Sequence, residues 1–141
     1  MVTDRVLLFE DDLLLATDLA SELSAEYEVD IAQDLEEAIL LAKGTEYVAL
    51  VSDLFVEGDE AGGGVTLIGA LRSGLRDLPA WGRDVPIVAM TGAQPFNGFD
   101  ALEVAANLGA NATVRKPIDI ENLLGTLALH IRQREPAPSP E

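Results

Sequence analysis

The chain has 141 residues, no cysteine, and 25 acidic against 9 basic residues, for a formal charge of −16. Its length and 48% hydrophobic content fit one domain with one core, and the lack of cysteine excludes a disulfide framework or a thiolate metal site. So acidic a chain is repelled by nucleic acid and by anionic membrane surfaces, which both reward phosphate neutralisation by Lys and Arg, so neither is an expected partner.

Arg5-Val-Leu-Leu-Phe9 is a continuous apolar run, the pattern of a central strand buried on both faces, and it stops at Glu10-Asp11-Asp12. Leu15, Leu19 and Leu23 recur at four-residue spacing and predict a first helix, which Asp11 or Asp12 is placed to cap. Tyr27–Ile31 reads as a second strand and Leu35–Lys43 as a second helix, with Gly44 placed to terminate it. Tyr47–Val51 is the third strand, after which the chain again turns acidic with Asp53. A Gly-rich loop, Gly58 to Gly64, leads into a helix of about Val65–Leu75. Beyond the Pro79–Asp84 loop, Val85–Met90 forms a fourth strand ending at Thr91, and a helix around Asp100–Leu108 follows. Ala112–Arg115 is a short fifth strand stopped by Lys116-Pro117, and Ile118–Arg134 is a last helix striped with Ile120, Leu123, Leu124, Leu127 and Ile131.

Strand and helix alternate five times, which predicts a single doubly wound, five-stranded parallel sheet with helices on both faces. One domain is expected over residues 1–134, and Glu135–Glu141, with three of the seven prolines, reads as a disordered tail or linker remnant. The longest apolar runs, such as Leu13–Ala16 and Tyr47–Val51, are too short to span a bilayer. Residues Met1–Arg5 carry no basic-then-apolar secretory pattern, so the cytoplasm is the expected compartment.

Open α/β sheets bind ligands beyond the carboxyl ends of their strands. Here those ends carry Glu10 and Asp11, Asp53, Thr91 and Lys116. Each alone has an ordinary structural reading: an Asp after a strand is usually a cap or turn, a Lys-Pro a strand stop, a Thr a loop hydroxyl. Together they place three carboxylates, a hydroxyl and an ammonium at one sheet edge. Carboxylates so grouped repel one another unless a cation intervenes, and a hard oxygen-seeking ion such as Mg²⁺ fits that donor set. With the charge screened, one carboxylate can serve as a nucleophile toward phosphorus, while Lys116 and Thr91 supply charge and a hydrogen bond.

The segments Val6–Asp12, Leu50–Asp53, Pro86–Gly92 and Val114–Pro117, with Gly109-Ala110 before the fifth strand, resemble the signature segments of response-regulator receiver domains across residues 4–132. The resemblance implies the flavodoxin-like receiver fold. It implies that Glu10 and Asp11 hold Mg²⁺, that Asp53 is phosphoacceptor and metal ligand, and that the Phe55 carbonyl is a further ligand. It also implies that Thr91 is the switch hydroxyl, that Lys116 contacts the phosphoryl group, and that the bond before Pro117 is cis. A histidine kinase or histidine phosphotransfer protein would be the phosphoryl donor, and a downstream protein would read the switched surface formed by the fourth helix, fifth strand and fifth helix. Such a domain catalyses its own modification and is not a conventional enzyme.

The chain departs from the family pattern at Thr113, where the switch aromatic usually lies, and at Glu57, where a proline is common. Phe55 and Ala93 occupy the positions that govern water access to the phosphoryl group, and an apolar pair there predicts a long-lived phosphorylated state. Two other classes compete. A phosphorylation-independent receiver-like binding module would be marked by loss of the acceptor, the acidic pair or the lysine, and all are present. A hydrolase or nucleotide- or flavin-binding enzyme would need a Gly-rich loop after the first strand or a nucleophile–base set, and the only histidine, His130, sits on the last helix.

Overall fold

A computed structural model describes residues 4–54, 63–92 and 101–134. In chain order the elements are β1 (Arg5–Phe9), α1 (Leu13–Leu23), β2 (Glu28–Ala32), α2 (Leu35–Gly44), β3 (Ala49–Asp53), α3 (Gly64–Ser73), β4 (Ile87–Thr91), α4 (Ala101–Leu108), β5 (Ala112–Arg115) and α5 (Ile120–Arg134). Two short 3₁₀ turns, Leu75–Asp77 and Ala80–Arg83, join α3 to β4. The five strands are all parallel in the order β2-β1-β3-β4-β5, as the alternating pattern predicts. The tail Glu135–Glu141 lies outside the described residues.

Alternation along the strands builds two apolar layers. Leu7, Phe9, Leu50, Ile87 and Ala89 face α2, α3 and α4, meeting Ala38, Ile39, Leu67, Ile68, Leu71 and Ala105. Val6, Leu8, Val51, Val88, Met90 and Val114 face α1 and α5, meeting Ala16, Leu19, Leu23, Leu123 and Leu127. Strands buried on both faces have no polar positions to give up, which is why they read as unbroken apolar runs.

Several boundaries differ from expectation, each for a local reason. The third strand begins two residues late: Tyr47 is fully buried, donates its hydroxyl to Asp30 Oδ2 at 2.8 Å, and meets Trp81 edge-on at 5.8 Å between ring centroids. The fourth strand starts at Ile87 because the Val85 N–H is spent on Trp81 O in the preceding turn and Pro86 has none to give. The last helix starts at Ile120, since the Asp119 carboxylate accepts from the N–H groups of Glu121 and Asn122 as an N-cap. Gly44 is the final residue of α2 rather than a left-handed cap, and the Thr45 N–H closes the helix on Leu41 O.

Positive-φ glycines follow two other helices instead, Gly74 after α3 (φ 71°) and Gly109 after α4 (φ 102°). At the second of these, Arg72 of α3 donates to Gly109 O at 2.9–3.0 Å, to Gly82 O at 3.0 Å and to Asn111 Oδ1 at 3.0 Å. Asn111 Oδ1 also accepts from Ile87 N at 2.8 Å, so one guanidinium ties α3 to the end of α4 and the starts of β4 and β5. A Cβ on Gly109 would stand 3.1 Å from Arg72 Nε. Gly109→Ala is therefore expected to lower unfolding free energy by about 1–3 kcal/mol, read from urea denaturation, because it adds both backbone strain and pressure on that clasp.

Candidate functional site

Register sets the site. β1 pairs Phe9 with Ser52 of β3, β3 pairs Asp53 with Met90 of β4, and β4 pairs Thr91 with Arg115 of β5. Glu10 and Lys116 each follow the last residue of their strand, while Asp53 and Thr91 are themselves strand ends. All therefore reach the carboxyl edge of the sheet. The chain leaves β1 for β2 on one side and leaves β3 for β4 on the other, so Glu10 and Asp53 flank the crevice at the topological switch point.

The acidic run after β1 divides its work. Asp12 is the N-cap of α1, its Oδ1 accepting from Leu15 N at 3.2 Å, which leaves Glu10 and Asp11 for the crevice. Ligand oxygens of Glu10, Asp11 and Asp53 all lie within 4.8 Å of one another. Glu10 is 1% exposed and Asp53 7% exposed, a depth at which unpaired carboxylates are costly. Lys116 supplies the counter-charge: its Nζ stands 2.6 Å from Glu10 Oε1 and 3.3 Å from Asp53 Oδ2. The backbone fixes it there, because Lys116 N–H donates to Thr91 O at 2.8 Å. The Lys116-Pro117 bond is cis.

One ammonium does not neutralise three carboxylates, and the titration behaviour follows. Burial pushes Glu10 up to about 7, with Asp11 and Asp53 adding to the rise and Lys116 opposing it. Burial also raises Asp53, against the charge and hydrogen bond of Lys116. Lys116 is pulled down by burial but ends above its ordinary value, because Glu10 and Asp53 hold its proton. A compact set of hard oxygen donors with surplus negative charge fits a divalent cation, which would displace protons from the set as it binds.

Glu10, Asp11, Asp53 and Lys116 thus come together, with Thr91, 4% exposed, on the neighbouring strand end. Phe55, Ala93 and the acidic loop with Glu57 lie outside the described residues. Thr113 is half-buried on β5 opposite Ala89, with no ring to move. His130 lies ten residues into α5, about 15 Å along the helix from its start. Two neighbours of Asp53 carry no signal of their own in the sequence: Ser52, hidden inside an apolar strand, and Gly64, which reads only as loop.

No family model and no curated protein matches the chain. Solved structures do. A response-regulator structure from Chloroflexus aurantiacus superposes at a TM-score of 0.78 with 24% identity, covering 93% of this chain and 99% of that one. A CheY-like response regulator receiver domain protein from Methanospirillum hungatei gives 0.74 at 21% identity, covering 94% and 96%. The fold is that of a response-regulator receiver domain. A third receiver, from a sensor histidine kinase of Pseudomonas aeruginosa, gives 0.75 at 25% identity over 93% of this chain and 99% of that one, and holds a magnesium ion in its active-site cleft. In this chain Glu10, Asp11 and Asp53 form a group that could hold a metal ion.

The raised carboxylates have a measurable consequence. Their folded-state affinity for protons exceeds that of the unfolded chain, so their contribution to stability is full below the ordinary carboxylate range and is lost as pH rises, for Glu10 through about 7. Urea midpoints of the metal-free protein should fall between about pH 5 and pH 8 more steeply than those of Glu10→Gln, and a divalent cation should remove the difference.

Proposed function

We propose that the chain is a phosphoacceptor switch: Asp53 takes a phosphoryl group, with Mg²⁺ bound by Glu10, Asp11 and Asp53, and a partner reads the result. The observation that carries this is Lys116 bridging the buried Glu10 and Asp53 beside a third, half-buried carboxylate, Asp11. A structural salt bridge needs one carboxylate; the surplus suits a site that also accommodates a cation and a phosphoryl group.

An Asp53 carboxylate oxygen attacks phosphorus, forming the acyl-phosphate bond, while the bond to the donor atom breaks and its electron pair leaves with the donor. Mg²⁺ when bound screens the carboxylates and neutralises charge on the phosphoryl oxygens. Lys116 contributes a second positive charge, and Thr91 a hydroxyl from the adjoining strand end. The modification adds nearly two negative charges to a crevice already in surplus, which is the driving force for rearrangement. A histidine kinase or histidine phosphotransfer protein is the donor class this chemistry suits, with an imidazole nitrogen as leaving atom. Leu13 and Leu14, 54% and 80% exposed beside the acidic run, offer such a partner an apolar rim. Output passes to a protein partner through the α4–β5–α5 face. The chain modifies itself rather than turning over substrate, and works in the cytoplasm. Among the described residues, no helix is long and apolar enough to cross a membrane.

Incubation with a small acyl-phosphate donor and Mg²⁺ should add the mass of one phosphoryl group, read by intact mass spectrometry. Chelation of the metal or Asp53→Asn should abolish the adduct. Lys116→Met should slow labelling by about 100-fold or more, the scale expected when a preorganised charge is removed from a transition state. An adduct that survives Asp53→Asn would refute the assignment.

A further inference from the structure

Ser52 is the fully buried residue before the acceptor, and its hydroxyl donates to the Asp53 carbonyl oxygen at 2.9 Å. The other β3 residue on that face is Leu50, part of the apolar layer under α2 and α3. A hydroxyl in such a layer is unfavourable unless bonded, and an alanine or valine would pack there at no polar cost. This one is bonded to the backbone of the acceptor itself.

The space around that bond is shaped by Gly64, the first residue of α3. A Cβ on Gly64 would overlap the Asp53 carbonyl oxygen, and would come within 2.7 Å of its carbonyl carbon and 2.8 Å of Ser52 Oγ. No side chain other than hydrogen leaves room for α3 to begin there. The next residues lock the arrangement: Val65 N–H donates to Leu54 O at 3.1 Å, and Leu54 N–H donates to Met90 O at 3.1 Å. The peptide that follows Asp53 is thus held by Ser52 from within the sheet and by β4 from the side, while α3 bonds the next carbonyl along, that of Leu54.

We infer that Ser52 is a positioning residue for the acceptor: its hydroxyl, in the slot left by Gly64, fixes the Asp53–Leu54 peptide and so aims the Asp53 carboxylate. The inference deepens the proposed function and rests on it for its kinetic consequence. Crevice residues bear on the carboxylate directly; Ser52 acts on the backbone that carries it. Small errors of aim are expensive in a displacement that needs the nucleophile in line with the breaking bond. Ser52 should therefore affect the rate of attack far more than the affinity for cation, since two of the three carboxylates of the set, Glu10 and Asp11, are untouched.

The test uses Ser52→Ala and Ser52→Cys in the full chain, with labelling by a small acyl-phosphate donor followed across Mg²⁺ and donor concentrations. Ser52→Ala is expected to lower the maximal labelling rate about tenfold while leaving half-saturating Mg²⁺ within about twofold, and Ser52→Cys, a weaker donor of similar size, should fall between. The backbone amide resonances of Leu54 and Val65 should move in Ser52→Ala without phosphoryl donor. A wild-type maximal rate with unmoved amides overturns the inference. A loss shared equally by rate, Mg²⁺ affinity and thermal midpoint also overturns it, since general loosening would explain that. If Ser52→Ala does not fold, a wild-type rate in Ser52→Cys overturns it. Absence of labelling in the wild type would refute the proposed function, while the amide shifts would still decide the role of Ser52.

Discussion

Lys116 reaches from the end of β5 to Glu10 at the end of β1 and Asp53 at the end of β3, and the rest of the molecule can be understood as what that contact requires. Gathering three carboxylates around one ammonium, two of them buried, is unfavourable in isolation, because desolvation and mutual repulsion outweigh what a single counter-ion returns. It becomes tolerable only if the groups are held by something stiffer than themselves. Four parallel strands in fixed register provide that, with the strand ends stepping side by side to one edge.

The stiffness has its own source. The central strands β1, β3 and β4 are covered on both faces, by α2, α3 and α4 on one side and α1 and α5 on the other. No strand end can shift without disturbing two packed layers, and close-packed interiors transmit such shifts rather than absorb them. The caps refine this: Asp12 secures the start of α1 one residue beyond Asp11, and Asp119 secures the start of α5 three residues beyond Lys116. Acidic residues that look alike in sequence therefore divide into those that hold helices and those that hold charge in the crevice.

Much of this was legible in the sequence because the signals were long-range and redundant. Five alternations of strand and helix leave few topologies, and a parallel sheet then dictates that residues 10, 11, 53, 91 and 116 share an edge. What could not be read was local. Tyr47 looked like a strand residue, since an aromatic in an apolar run gives no hint that its hydroxyl is committed to Asp30. Gly64 resembled one more flexible glycine until its approach to the Asp53 carbonyl was visible. Ser52 gave the least warning, as a lone hydroxyl in a buried strand is informative only once its acceptor is known. The choice between Asp11 and Asp12 as cap likewise depended on backbone geometry, which composition does not carry.

The distribution of the site along the chain bears on how the protein is made. Its three carboxylates are all in place once residue 53 has been synthesised, yet the lysine that compensates them follows 63 residues later. An N-terminal portion leaving the ribosome thus contains the repulsion without its remedy. Because the carboxyl ends of β1 and β3 cannot close comfortably over bare carboxylates, the central strands gain their full stability only when β5 is added or a cation takes its place. Completion of the sheet and neutralisation of the crevice are then a single event, delivered by the strand that is synthesised last.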